Sequence, residues 1–288
     1  MRIYPLTTSM VKNVMSIRRP APQGNGVYIG STMVQECVAF LGYEDPNSPG
    51  GLKPEGTGFL LNYQGFGYLV TARHVAEALG RYPFCLRINN PTTGGSTFDF
   101  KDDAQWDFHP DETVDLAILE FNPAGEERLQ RRFIQDELLL TSGRVKALDI
   151  QPGCICYVVG LFRFLQGTDK NLPLVYTGNF AGMNLEERVP VYDEKKKATE
   201  LSEVYLIEAH GINGLSGSPV FVRQTRSLTY ETDRGPQTVL VPSNNLDLLG
   251  LFSAAWYLPP DAAVAATHRT KAANVVPVGV GMVVPAQK

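Results

Sequence analysis

Apolar and polar positions alternate along this chain in short bursts rather than in long helical stripes. Runs rich in β-branched and aromatic residues occupy 34–43, 57–62, 67–71, 84–88, 114–121 and 155–160, then 204–209, 219–222, 238–242, 246–253 and 278–285. Gly, Pro and Asn clusters separate them, a pattern that predicts sandwiches or barrels rather than a wound α/β sheet. Helical spacing is confined to a turn or two after His74, the charged stretch GEERLQRRFIQDELL at 125–139, and 261–273. The region 161–201 reads as long loops with weak strands at 173–176 and 181–183. No internal repeat is visible.

The chain has 288 residues, more than one core usually holds, so two lobes are expected. The stretch 125–139 lies between two strand groups of similar size, which puts the boundary near residue 135. The expected division is an amino-terminal extension (1–33), a first lobe (34–135) and a second lobe (136–288).

Composition narrows the function classes. Hydrophobic residues make up 43% of the chain, ample for a globular core, and no window nears eighteen uninterrupted apolar residues, so no membrane span or membrane partner is expected. A net charge of -4 argues against a nucleic-acid groove, which depends on clustered Lys and Arg. The run Lys195, Lys196, Lys197 is flanked by Asp193, Glu194 and Glu200 and reads as a solvated loop. The first 35 residues hold four bases and no acid, yet lack the apolar stretch of a secretory signal, which points to a cytoplasmic protein. Cys37, Cys85, Cys154 and Cys156 sit in apolar stretches and behave as core hydrophobes. The Cys154, Ile155, Cys156 spacing lacks the two-residue gap of common zinc and redox motifs, so neither a metal nor a disulfide framework is expected.

The segment GLSGSPV at 214–220 packs two glycines, two serines and a proline between apolar runs. A serine hydroxyl is a poor nucleophile near neutrality and needs a histidine to take its proton, a carboxylate to orient that histidine, and donors for the oxyanion. With Ser216 as nucleophile, Gly214 lets the backbone turn so that its own N–H and that of Ser216 converge on one point. Gly217 leaves room for an acyl group, and Ser218 faces away as a turn residue. His74 follows two strand-like runs joined at Gln64 and Gly65, at the mouth of a short helix, where a base is held rigidly. Asp115 opens the strand-like TVDLAILEF among apolar neighbours; Asp107, Asp111 and Glu112 lie close by in the same loop. His109 and His268 read as solvated, and Trp106 as packing, while Trp256 is close enough to the run 246–253 to touch a substrate.

The motifs GTGFLL, YLVTARHV, VDLAIL and GINGLSGSPVF resemble the histidine, aspartate and serine motifs of trypsin-like (chymotrypsin-fold) serine peptidases, in that family's order. The likeness is greatest to bacterial forms related to the HtrA proteases, and the tail LLGLFSAAW and VGVGMVVPA resembles the family's last strands. The resemblance implies a mainly β fold of two packed six-stranded antiparallel barrels with few short helices, and the site in the cleft between them. It implies a serine endopeptidase acting on polypeptides through an acyl-enzyme, without metal or organic cofactor. His74 would be base then acid, Asp115 its orienting partner and Ser216 the nucleophile, with the Gly214 and Ser216 N–H groups as oxyanion hole. Ser253 would support Asp115, and Ser253, Ala254 and Ala255 would pair with substrate by strand addition. Gly281 would wall the specificity pocket, with Asn213 and His210 beside it.

Two departures from the family stand out. Leu215 occupies the place where digestive members carry an acid that receives a newly cut amino terminus, so activation by propeptide removal is not supported. No PDZ-like module follows the last strand, so capture of substrate by one is not expected. Two other functions remain compatible with the residues: a non-hydrolytic module that holds a peptide strand on the same barrels, and a protease restricted to itself or to one partner. At the pocket floor, an imidazole at His210 could donate to an acidic or amide side chain, or could simply bond within its own loop. If it faces the pocket, His210→Ala changes relative turnover among peptides varied at P1; unchanged ratios remove the pocket role.

Overall fold

The computed structural model describes residues 33–80, 83–90, 93–101, 104–122, 132–183, 188–193, 198–209, 214–232, 235–258 and 276–288. Its strands, in chain order, begin with β1 (Val38–Glu44), β2 (Leu52–Tyr63), β3 (Phe66–Thr71), β4 (Phe84–Asn89), β5 (Ser96–Lys101), β6 (Asp107–Phe108), β7 (Ala117–Glu120) and β8 (Ile134–Gln135). They continue with β9 (Ile155–Gly160), β10 (Leu174–Met183), β11 (Val189–Asp193), β12 (Ala198–Ser202), β13 (Tyr205–Glu208), β14 (Ser218–Thr232), β15 (Gly235–Leu258) and β16 (Val276–Pro285). Among the described residues three short α-helices accompany them: α1 (Met33–Glu36), α2 (Arg73–Leu79) and α3 (Ser142–Ala147). Among the described residues no helix is long and apolar enough to cross a membrane.

The mainly β expectation holds, and the later strands close into a six-stranded antiparallel barrel in the order β10, β13, β16, β15, β14, β9. Closure of the first lobe into the expected six-stranded barrel is not seen among the described residues. Its strands form one eight-stranded sheet in the order β5, β4, β1, β2, β3, β7, β6, with β8 parallel to β2 at Leu61 and Asn62. The ends of that path, β5 and β6, do not pair among the described residues; β6 is two residues long and exposed, too short to bridge the gap. The expected helix at 125–139 also gives way. Residues 123–131 lie outside the described residues, and the remainder is β8 followed by a single 3-10 turn, Asp136–Leu138. Ile134 is buried against the sheet and Phe133 stacks on Phe121, so packing overrides the helical spacing there. The helix expected at 261–273 lies outside the described residues.

Side-chain alternation in the barrel wall explains how the two sheets join. Successive residues of a strand face opposite sides. Cys156, Val158, Val220, Val222, Leu249 and Val283 point into the barrel with Phe180, Tyr205 and Phe252. Their neighbours Val159, Phe221, Leu248 and Val284 point outward into a second core with Phe40, Leu60, Leu69 and Leu86 of the first sheet. A one-residue slip in β9, β14 or β16 would therefore spoil both cores at once. All four cysteines are buried and free, and burial pushes the Cys37 and Cys156 thiols up to about 12 and Cys85 to about 11, which keeps them protonated and inert.

Loop 161–173, expected to be unstructured, is pinned to the first sheet by a buried guanidinium. Arg87 of β4 is fully buried and donates to Asn171 Oδ1 (2.6 Å), Gly50 O (3.0 Å), Gln166 O (2.5 Å) and Gly167 O (3.0 Å). Desolvation pulls its pKa below the usual arginine value, yet its acceptors and the Phe40 ring beneath it keep the charge satisfied. Replacing it strands those acceptors in the interior. Arg87→Met is expected to lower unfolding stability by about 3 kcal/mol, measured by urea denaturation. A loss under about 1 kcal/mol would mean that the loop does not depend on this anchor.

Candidate active site

The short helix α2 starts directly after β3, and its cap residue Ala72 supplies no side-chain acceptor. Asp115 fills that role from across the sheet: its Oδ1 accepts the backbone N–H of His74 at 3.0 Å. The other oxygen, Oδ2, lies 2.8 Å from His74 Nδ1 and accepts the Ser253 hydroxyl at 2.5 Å. One carboxylate thus fixes the helix start, the imidazole plane and a side chain of β15. An ionised carboxylate only accepts, so Nδ1 carries a proton, and in the neutral ring the lone pair lies on Nε2.

Burial would raise the Asp115 carboxyl. The hydrogen bond and charge of His74, the Ser253 hydroxyl and the His74 N–H outweigh it and hold the pKa below the ordinary aspartate value. The loop carrying Asp115 is tied down separately. Asp111 accepts Thr113 Oγ1 at 2.7 Å and Arg188 at 3.3 Å, and Ser202 Oγ donates to Thr113 O at 3.3 Å. Arg73, one residue before His74, lies over the Phe108 ring and donates to His109 O. The β11–β12 hairpin, in a region expected to be loops, therefore braces the aspartate loop through Arg188 and Ser202.

Ser216 is half-buried in the turn before β14. Gly214 has φ +106 and Gly217 φ +87, in the left-handed region that favours glycine. A side chain on Gly217 would begin 1.9 Å from Thr57 O, so this glycine makes room for the close approach of the first sheet. Ser218, expected to face away as a turn residue, is fully buried at the head of β14, because Pro219 and Val220 continue directly into the barrel wall. Among the described residues the N–H groups of Gly214 and Ser216 have no hydrogen-bond acceptor, as oxyanion donors require.

Thr57 brings the loop to the histidine. Its N–H donates to Ser216 O at 3.0 Å, and its carbonyl accepts Thr71 Oγ1, three residues before His74, at 2.7 Å. At the neighbouring Gly56, a side chain would begin 2.7 Å from Val75 and 3.3 Å from Ser216 O, so only the bare backbone separates the helix from the serine loop. Contact between His74 and the Ser216 hydroxyl is not closed to hydrogen-bond length. Such contacts commonly lengthen when no substrate is bound.

Among the described residues the edge of β15 beside this loop is open. β14 begins at Ser218 opposite Phe252, so Ala254 and Ala255 pair with β16 alone, at Met282 and Gly281, and Ser253 sits at an irregularity in that pairing. Gly281 is buried, with the place of its side chain taken by Phe252. His210 and Asn213 lie outside the described residues, as does the side chain of Trp256. Sequence reasoning singled out neither Thr57 nor Arg188; the GTGF motif contained the first without distinguishing its hydroxyl.

No protein-family model matches this chain, and no curated protein does. Among solved structures, the active form of the Rv3671c protease from M. tuberculosis aligns over 89% of this chain and 78% of its own, at 16% identity and a TM-score of 0.48. An inactive form of the same protease aligns over 89% and 86%, at 16% identity and a TM-score of 0.44. Likeness at this level assigns neither a family nor an activity.

The depressed Asp115 pKa has a pH signature. A carboxyl whose folded pKa lies below its unfolded value stabilises the fold above the unfolded pKa and loses that contribution as pH falls through the folded one. Wild type is therefore expected to be more stable than Asp115→Asn at neutral pH, with the gap closing as pH drops below about 3.8, measured by denaturant titration. A gap independent of pH would mean that Asp115 is not held as a carboxylate.

Proposed function

We propose that this protein is a serine endopeptidase that cleaves polypeptides through an acyl-enzyme. The observation that carries this reading is the single carboxylate of Asp115, which gathers the His74 ring, the His74 N–H and the Ser253 hydroxyl. An imidazole with a protonated Nδ1 and a free Nε2 is prepared to take a proton. The Ser216 hydroxyl, held on the loop tied to Thr57, is the proton's source.

In this mechanism Nε2 of His74 accepts the Ser216 proton as Oγ attacks the scissile carbonyl. Asp115 stabilises the imidazolium, and the N–H groups of Gly214 and Ser216 receive the oxyanion. His74 then protonates the leaving amine, and water, activated by the same imidazole, releases the acyl group. The free edge at Ser253, Ala254 and Ala255 supports a peptide as substrate, because an extended chain would complete its hydrogen bonds there. Metal and organic cofactors have no part in these steps. We place the protein in the cytoplasm on its composition, with no nucleic-acid or membrane partner.

The unclosed distance between His74 and Ser216 favours one other reading, a module that binds a peptide strand without cutting it. A fluorophosphonate probe separates the two, since only an activated serine is phosphonylated. Wild type is expected to label at neutral pH, Ser216→Ala not at all, and Asp115→Asn about 10⁴-fold more slowly. An unlabelled wild type that still binds extended peptides would overturn the enzyme in favour of the binder.

A further inference from the structure

Thr57 is fully buried on β2, at the seam between the first sheet and the barrel, and all its polar atoms are hydrogen-bonded. Its N–H donates to Ser216 O at 3.0 Å, and its carbonyl accepts Thr71 Oγ1 at 2.7 Å. The hydroxyl has a separate task. It donates to Gly214 O at 2.7 Å and accepts the N–H of Leu161, which follows β9, at 3.0 Å. Resting on the peptidase reading, we propose that the Thr57 hydroxyl is a positioning residue that fixes the plane of the peptide joining Gly214 to Leu215, and so orients the oxyanion donors.

The chemistry of a hydroxyl makes this assignment specific. It has one proton, and that proton is spent on Gly214 O, while the N–H of Leu161 occupies a lone pair. Each bond therefore fixes the rotor for the other. Gly214 needs such a restraint because a glycine at φ +106 has a permissive backbone, and the peptide held by Thr57 lies between the two peptides that carry the Gly214 and Ser216 N–H groups, so its rotation would change how they converge. The loop's other ties lie on the far side of the serine, where Gly217 N–H donates to Phe252 O at 2.8 Å and Ser218 N–H to Leu215 O at 2.9 Å. Only Thr57 holds the Gly214 carbonyl among the described residues. A valine there fills the same volume and keeps the backbone bonds, but leaves the Gly214 carbonyl and the Leu161 N–H unpaired.

The test compares Thr57→Val, Thr57→Ser and, as a core-truncation control remote from the loop, Cys156→Ala. Steady-state peptide cleavage and hydrogen exchange are measured on each, with thermal melting as the check of folding. Thr57→Val is expected to lose about 10²-fold in kcat with KM and the midpoint of the pH profile unchanged, because the imidazole and its carboxylate are untouched. Thr57→Ser recovers most of that loss, and Cys156→Ala stays near wild type. Amide exchange at Gly217 and Ser218 rises in Thr57→Val alone. A Thr57→Val enzyme with kcat within threefold of wild type, or one whose loss tracks melting temperature as that of Cys156→Ala does, overturns the proposal. Should Thr57→Val fail to fold, Thr57→Ser decides: cleavage near wild type supports the hydroxyl role, and a 10²-fold loss overturns it. If wild type cleaves nothing, the peptidase reading fails by itself. The hydroxyl's hold on the loop is then judged by exchange, supported by a rise confined to Thr57→Val and overturned by none.

Discussion

A carboxylate held beneath the seam of two sheets must be given donors or be protonated, and the organisation of this site follows from how Asp115 finds three. Two come from a single residue, the His74 N–H and ring, and the third is Ser253 from the barrel. Each donor lowers the cost of burying the charge, and each is fixed in return. The helix start, the imidazole orientation and the register of β15 are thereby set together. A shift of β15 by one residue would replace the hydroxyl donor with the methyl of Ala254 and would also turn Leu249 and Phe252 out of the barrel core. Packing and electrostatics therefore select the same arrangement.

The serine loop is located by backbone contacts instead of charge. Thr57 bonds on one side and Phe252 on the other hold the turn, and the glycines allow its approach to β2. Such a turn can be rigid while presenting a side chain at partial exposure, because the Gly214 and Ser216 carbonyls and the Gly217 N–H are bonded to Thr57 and Phe252 on neighbouring strands. The open edge of β15 has the same origin: β14 begins only at Ser218, so among the described residues 253–255 have no strand partner on the side where the serine stands.

Much of this was legible in the sequence. Apolar runs with period two marked β1, β2, β3, β4 and β9 to within a few residues, and the TARHV segment announced a base at a strand end entering a helix. Asp115 needed more than spacing, since Asp107, Asp111 and Glu112 stand in the same loop; in the structure only Asp115 reaches His74, while Asp111 turns to Thr113 and Arg188. The β11–β12 hairpin was less legible, because among the described residues its two strands pair only with each other, while the run at 238–242 did mark part of β15.

Leu215 shows how the same turn can be held without an ion pair. It is buried against the barrel interior with Phe180 and Leu249, where an acidic residue would require a cationic partner. Burying a leucine contributes about 1.5–3 kcal/mol without such a partner. On the proposed mechanism, the approach of Ser216 to the first sheet is thus tied to folding of the barrel core itself. On that mechanism no newly created amino terminus would be needed to place the loop, and a limit on activity would act on the cleft or on the closure between His74 and Ser216.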